Sequence, residues 1–160
     1  MIATLPIATL GLFVSLALGQ GQPALTIEGV NGARVSVTLA DLLKLPQQTI
    51  EAAEHGATHT YEGVPLSTLL AKVDLPAGEK FHKTAASYYL SAEAKDGYRA
   101  VFAWAELDPT FMDKTVFVAV KRDGKPLAED DGPFRLVVPG EKRAARWVRQ
   151  VTALRLKKTD

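Results

Sequence analysis

The residues best suited to chemistry in this sequence lie between Asp131 and Val151, DGPFRLVVPGEKRAARWVRQV, where Lys142, Arg143, Arg146 and Arg149 surround one indole, Trp147. The apolar run Leu136 to Val138 stops at Pro139-Gly140. A strand that ends in such a turn releases the cations after it into a loop, where they can rim a cleft. Arginine forks grip phosphate at two points and an indole offers a stacking face, so the stretch suits a flat, anionic ligand. Glu141 to Asp160 holds seven Lys or Arg against two acids, in a chain whose formal charge is only +1. The positive patch is therefore local, which argues against a nucleic-acid or general polyanion binder; its plain alternative is a solvated face.

Other chemistries find less support. His55 and His59 are four apart, the helical spacing of a metal pair, but Gly56 and Thr58 intervene and a strand follows. A turn with one solvated and one packed histidine fits better than a metal site. Ser36, Ser67, Ser87 and Ser91 all lack the glycine-flanked elbow that exposes a nucleophile. Glu106 and Asp108, and the pair Asp130 and Asp131, are of the right type for acid or base work, yet their neighbours favour capping and turn roles. The chain has no cysteine, which excludes disulfides and thiolate-bound metals.

These residues must be held by short elements. A chain of 160 residues with 47% apolar content suits one globular domain. Leu5 to Leu18 is largely apolar and is followed by Ala17-Leu18-Gly19 and a polar QGQP, the pattern of a secretory signal at 1–19, with cleavage expected after Gly19. No Lys or Arg precedes that run, so the alternatives are a true start further upstream or an uncleaved anchor. Beyond it, Leu25 to Gly29 and Arg34 to Leu39 alternate around Asn31-Gly32, predicting a hairpin. Thr38 to Asp41 has the form of a capping box, with Leu39, Leu42 and Leu43 expected to face inward. Strands are expected at Thr49 to Ala53 and Thr58 to Glu62 around His55-Gly56. Pro65 then opens a helix with Leu66, Leu69, Leu70 and Val73 on one stripe. Ser87 to Ala92 and Tyr98 to Ala103 flank Lys95-Asp96-Gly97, and one helical turn is expected at Ala103 to Leu107. Val116 to Lys121 and Arg135 to Val138 flank Asp123-Gly124, and Trp147 to Leu156 is expected as the closing strand. The class is α+β with mostly antiparallel strands.

The order of these segments carries a resemblance. Tyr61-Glu62-Gly63-Val64-Pro65-Leu66 with Leu69-Leu70 comes first, then Asp96-Gly97-Tyr98, Ala105-Glu106-Leu107 and Asp123-Gly124-Lys125-Pro126-Leu127. Gly132-Pro133-Phe134-Arg135-Leu136-Val137-Val138-Pro139 and Arg146-Trp147-Val148 complete the series. Together they resemble the molybdopterin-binding domain of the sulfite oxidase family, over 20–160, and imply its fold of mixed, mostly antiparallel sheets with short helices. Arg135 and Arg146-Trp147 resemble positions that in those enzymes hold the phosphate and pterin of the cofactor. Arg143, Tyr98 and His55 complete the expected cofactor-binding set. The alternative for Arg135 is a strand arginine with a solvated head, and for Trp147 a core indole.

One departure bears on activity. Catalytic members place a cysteine thiolate on molybdenum from the segment that here reads Gln48 to Gly56, QTIEAAEHG, without cysteine. A soft thiolate helps hold that metal and set its potential. The resemblance then implies a secreted, periplasmic, non-catalytic protein that holds molybdopterin or a free reduced pterin without metal. It would be similar to small periplasmic pterin-binding proteins of this fold, which pass ligand state to a membrane-bound sensor. The alternatives are an oxidoreductase in which Glu54, His55 or solvent replaces the thiolate, and a structural or electron-transfer accessory to a redox partner.

Overall fold

A computed structural model describes residues 22–73, 83–108, 110–113 and 115–160. The expected signal and its cleavage point lie outside the described residues. Ten strands form two five-stranded sheets among the described residues. The first has the order β2-β1-β10-β5-β6, built from β1 (Ala24–Glu28), β2 (Arg34–Thr38), β5 (Tyr88–Ala94), β6 (Arg99–Ala103) and β10 (Val151–Lys158). The second runs β3-β4-β7-β8, from β3 (Gln48–Glu54), β4 (Ala57–Pro65), β7 (Phe117–Arg122) and β8 (Lys125–Pro126), with β9 (Arg135–Val137) also on β7. Every pairing is antiparallel except β1 with β10, which is parallel. The α+β class is the one observed, with short helices α1 (Leu39–Leu43), α2 (Leu66–Leu70) and α3 (Trp104–Leu107).

Alternation explains the first sheet. Leu25, Ile27, Leu90, Phe102, Leu154 and Leu156 turn inward and are essentially without exposure. They join Leu42, Leu66, Leu69 and Leu70 from the helices and Tyr61, Val64 and Phe117 from the second sheet in one core. Each such aliphatic side chain contributes roughly 1.5–3 kcal/mol by leaving water. The opposite face carries a chain of alternating charge across all five strands: Arg34 to Glu28 at 3.2 Å, Glu28 to Arg155 at 3.5 Å, Arg155 to Glu93, and Glu93 to Arg99 at 3.3 Å.

Two tight hairpins shape the second sheet. His55 and Gly56 both have positive φ (50° and 85°), as do Asp123 and Gly124 (51° and 74°), the requirement of the two-residue turns that match strand twist. The Asp123 carboxylate staples the hairpins together, accepting from the Thr60 backbone N–H at 3.0 Å and meeting His59 Nδ1 at 2.7 Å. These hydrogen bonds, His59 first, hold the Asp123 carboxyl below its ordinary range. At Gly63 the register of β4 on β7 shifts, and the strands close so tightly that an added Cβ would lie 2.0 Å from the Val118 carbonyl oxygen.

Several expectations are corrected. The Thr38–Asp41 capping box is present, with Asp41 N–H donating to Thr38 Oγ1 at 3.1 Å, but Leu43 is 46% exposed because a five-residue helix buries only Leu42. The helix after Pro65 stops at Leu70, although Val73 stays buried. Asn31-Gly32 lies within a longer turn in which Gly29 N–H donates to Ala33 at 2.9 Å. Across Asp123-Gly124 the immediate partner is β8, and β9 continues along the same edge of β7 only after the excursion 127–134. The closing strand begins at Val151, because 144–146 form a 3-10 turn that places Trp147 before it.

Candidate functional site

A cleft of about 960 Å³ opens beside the tip of the β3–β4 hairpin, between it and the two connections 127–134 and 138–150. Backbone hydrogen bonds bring those connections together: Gln150 N–H donates to Asp131 O at 2.8 Å, Val151 to Phe134 at 2.9 Å, and Leu136 to Val148 at 2.8 Å. Segments that the sequence separates into a Gly-Pro-Phe-Arg run and an Arg-Trp-Val run thus become neighbours.

The floor is a closed charge cluster. Arg135, on β9 with a side chain only 3% exposed, donates from one terminal nitrogen to Asp131 Oδ2 at 2.8 Å and from the other to Glu54 Oε1. Glu54 also accepts from the Tyr61 hydroxyl at 3.1 Å, and Arg122 reaches Asp131 at 3.3 Å. The two nearly buried carboxylates are paired by the buried Arg135 and, from the cleft side, by Arg122, whose side chain is 35% exposed, the pairing under which buried charge is tolerated. Burial alone would raise the Glu54 carboxyl, but the charge and hydrogen bond of Arg135 and the Tyr61 hydroxyl outweigh it and leave the pKa lowered. Burial is also the main cause that raises the Tyr61 phenol. Among the described residues the buried Nε of Arg135 has no hydrogen-bond partner, whereas both terminal nitrogens of this guanidinium do.

Trp147 belongs to that floor. It is 3% exposed, its indole N–H donates to Val138 O at 3.1 Å, and its ring meets Tyr61 edge-on at 5.9 Å and the Arg135 guanidinium at 5.8 Å. Its ring is therefore packed against protein and leaves little face open above it.

The rim differs. Lys142, Arg143 and Arg149 line the cleft, are exposed, and make no ion pair or side-chain hydrogen bond among the described residues. His55 stands beside them, its side chain 88% exposed and 3.9 Å from Glu54. Arg146 and Tyr98 do not line the cleft. Arg146 is turned back onto Glu141 at 2.7 Å and Glu106 at 2.9 Å over the Phe102 ring. Burial works against its charge, but the two glutamates more than offset that and raise its pKa. The Tyr98 hydroxyl donates to Ala145 O at 2.6 Å. Both brace the cationic loop from outside.

Of the six residues singled out in the sequence, the structure brings Arg135, Trp147, Arg143 and His55 to the cleft and leaves Arg146 and Tyr98 behind it. Sequence reasoning missed Glu54 as partner of the buried arginine, and likewise Tyr61, Arg122 and Asp131. The i, i+4 spacing of Asp131 and Arg135 was visible, but the partnership with Glu54 spans 81 residues and needs the fold.

Comparison with known proteins agrees with this architecture. The profile of the oxidoreductase molybdopterin binding domain matches residues 20–160. Among solved structures, the sulfane dehydrogenase SoxCD from Paracoccus pantotrophus superposes with a TM-score of 0.67 at 26% identity, over 84% of this chain and 38% of that one. No curated protein matches. The chain thus spans well under half of that dehydrogenase. With its two sheets, its Gly-Val-Pro-Leu bulge and its cleft at the β3–β4 hairpin tip, the chain belongs to the oxidoreductase molybdopterin binding domain family, with the sulfite-oxidase type of fold.

Proposed function

We propose that this chain is a non-catalytic pterin-binding protein that acts outside the cytoplasm and hands its ligand state to a membrane-bound partner. The family brings a pterin-type cofactor, in which molybdenum is normally bound. The residues of the cleft fit the organic part of that group. A volume of about 960 Å³ accommodates a bicyclic ring with a substituent. Lys142, Arg143 and Arg149 would meet its anionic or carbonyl oxygens, and Arg135 Nε is a buried donor without an acceptor among the described residues. The residues do not fit the metal in the same way. The chain has no cysteine, and among the described residues no three His, Asp or Glu side chains gather as a ligand set. Glu54, on the segment where catalytic relatives carry their thiolate, is held by Arg135 and Tyr61.

That pairing, three uncommitted cations above a floor whose carboxylates are already spent on arginines, is the observation that carries the reading. When bound, the pterin would supply ring hydrogen-bonding edges and, in its reduced form, a reservoir of electrons. The protein's own residues would hold and orient it, with Tyr98 and Arg146 keeping the cationic loop in place. The apolar run at 5–18 supports export, and a membrane-bound partner is proposed from the resemblance to small periplasmic pterin-binding proteins of this fold. The test is mass spectrometry of small molecules released from the purified protein, with elemental analysis of the same sample. An equimolar pterin with molybdenum far below it is expected. Stoichiometric molybdenum that disappears in Glu54→Gln would overturn the proposal in favour of an oxidoreductase with a carboxylate ligand.

A further inference from the structure

Among the described residues, one carboxylate lining the cleft has no partner. Asp131 is bound to Arg135 and Arg122, Glu54 to Arg135 and Tyr61, and Glu141 to Arg146. Asp130 lines the same cleft, is exposed, and has no hydrogen bond or ion pair among the described residues. It stands on the 127–134 excursion, which the Gln150 side chain fixes by donating to Glu129 O at 2.7 Å. The uncommitted cations Lys142, Arg143 and Arg149 come from the other connection. The two connections thus present opposite uncommitted charge to one cleft, while everything beneath them is neutralised.

We propose that Asp130 sets ligand specificity by pairing with an adjacent pair of N–H donors, so that the cleft selects a ring with an amidine-like edge that also carries an anion. This rests on the pterin-binding reading and adds which edge of the ring is read. A carboxylate accepts two parallel N–H bonds from such an edge, the 2-amino group and N3–H of a pterin, and these bonds are stronger than neutral ones. A ring with a carbonyl in place of the 2-amino group turns an acceptor toward the carboxylate and loses both a bond and a favourable charge contact. The cations would engage an anionic substituent such as a carboxylate or phosphate on the far side of the ring. Discrimination then divides between the two connections: Asp130 reads the amino group, and Lys142 with Arg143 reads the anion.

Three probes separate these roles: pterin, lumazine, in which a carbonyl replaces the 2-amino group, and pterin-6-carboxylate. Each is titrated by calorimetry against the wild-type chain, Asp130→Asn, and the double variant Lys142→Gln/Arg143→Gln, with thermal melts to show that the surface changes leave the fold intact. The wild type is expected to prefer pterin to lumazine by about tenfold or more, as fits hydrogen bonds to a charged group. Asp130→Asn should bring the two within about threefold while keeping the preference for the 6-carboxylate, and the double variant should do the reverse. Equal binding of pterin and lumazine to the wild type, or an unchanged ratio in Asp130→Asn, overturns the role of Asp130 and leaves pterin binding standing. If none of the three rings binds the wild type, the pterin reading fails and the inference fails with it.

Discussion

At the scale of single residues, the buried charges and the indole make different predictions. Arg135→Ala would leave Glu54 and Asp131 at the cleft floor with only the partly exposed Arg122 as cation, and the loss of one partner of a buried pair costs about 3–5 kcal/mol. Urea unfolding should show a drop of that size, with the slope unchanged. Trp147→Ala empties a packed site and should cost a similar amount, about 3–5 kcal/mol, with Trp147→Phe losing only part of it. If Trp147→Ala melts like the wild type, the indole is not the packed residue described. The Glu54 carboxyl has a folded pKa below its ordinary value of 4.5, so its contribution is present above that value and is lost as pH falls through the folded pKa. Glu54→Gln should therefore flatten the fall in stability on the acid side of pH 4.5 while lowering stability at neutral pH. An acid limb as steep as the wild type's would show that Glu54 does not carry it.

At the scale of elements, Gly63 gives the sharpest expectation. An added methyl there would collide with the Val118 carbonyl, which is backbone and cannot swing aside, so Gly63→Ala must shift β4 against β7. Overpacking of this kind costs about 1–3 kcal/mol or more, and a thermal melt comparable to wild type would contradict the close approach. The charge chain on the open face of the first sheet predicts a smaller, salt-sensitive effect. Arg155→Ala should lower the melting temperature modestly at low ionic strength and very little in molar salt, because exposed pairs are screened. Much of this level was legible in the sequence. The His55-Gly56 and Asp123-Gly124 turns, the Thr38 capping box and the Leu66–Leu70 helix all follow from local chemistry that acts within a few residues. Trp147 was harder. The apolar pattern from 147 to 156 reads as one strand, and only the 3-10 turn that packs the indole under the loop interrupts it. Arg146 was misleading for a related reason: its proximity to Trp147 in sequence says nothing of the two glutamates that turn it away, and Glu106 is 40 residues distant. Glu54, Tyr61, Arg122 and Asp131 each have an unremarkable local setting, so their joint role exists only once both hairpins and both connections have met.

At the scale of the whole molecule, ligand binding and export give two further tests. A pterin bound to the folded state alone should stabilise it by about 2.7 kcal/mol at a hundredfold excess over Kd, visible as a concentration-dependent rise in melting temperature. N-terminal sequencing of protein recovered from the periplasm should begin near Gln20, whereas an intact Met1 on cytoplasmic material would argue against export. The topology of the first sheet also fixes an order of events during synthesis. Its central strand, β10, is delivered after every other strand, and it alone joins the β1–β2 hairpin to the β5–β6 hairpin, with Thr26 beside Ala153 and Leu90 beside Leu156. Contacts between such remote positions close late and slowly. Without β10 the two hairpins of this sheet share no neighbouring strand, and the buried side chains of Leu154 and Leu156 are missing from the core, so a chain cut before Val151 should fail to give a cooperative thermal transition.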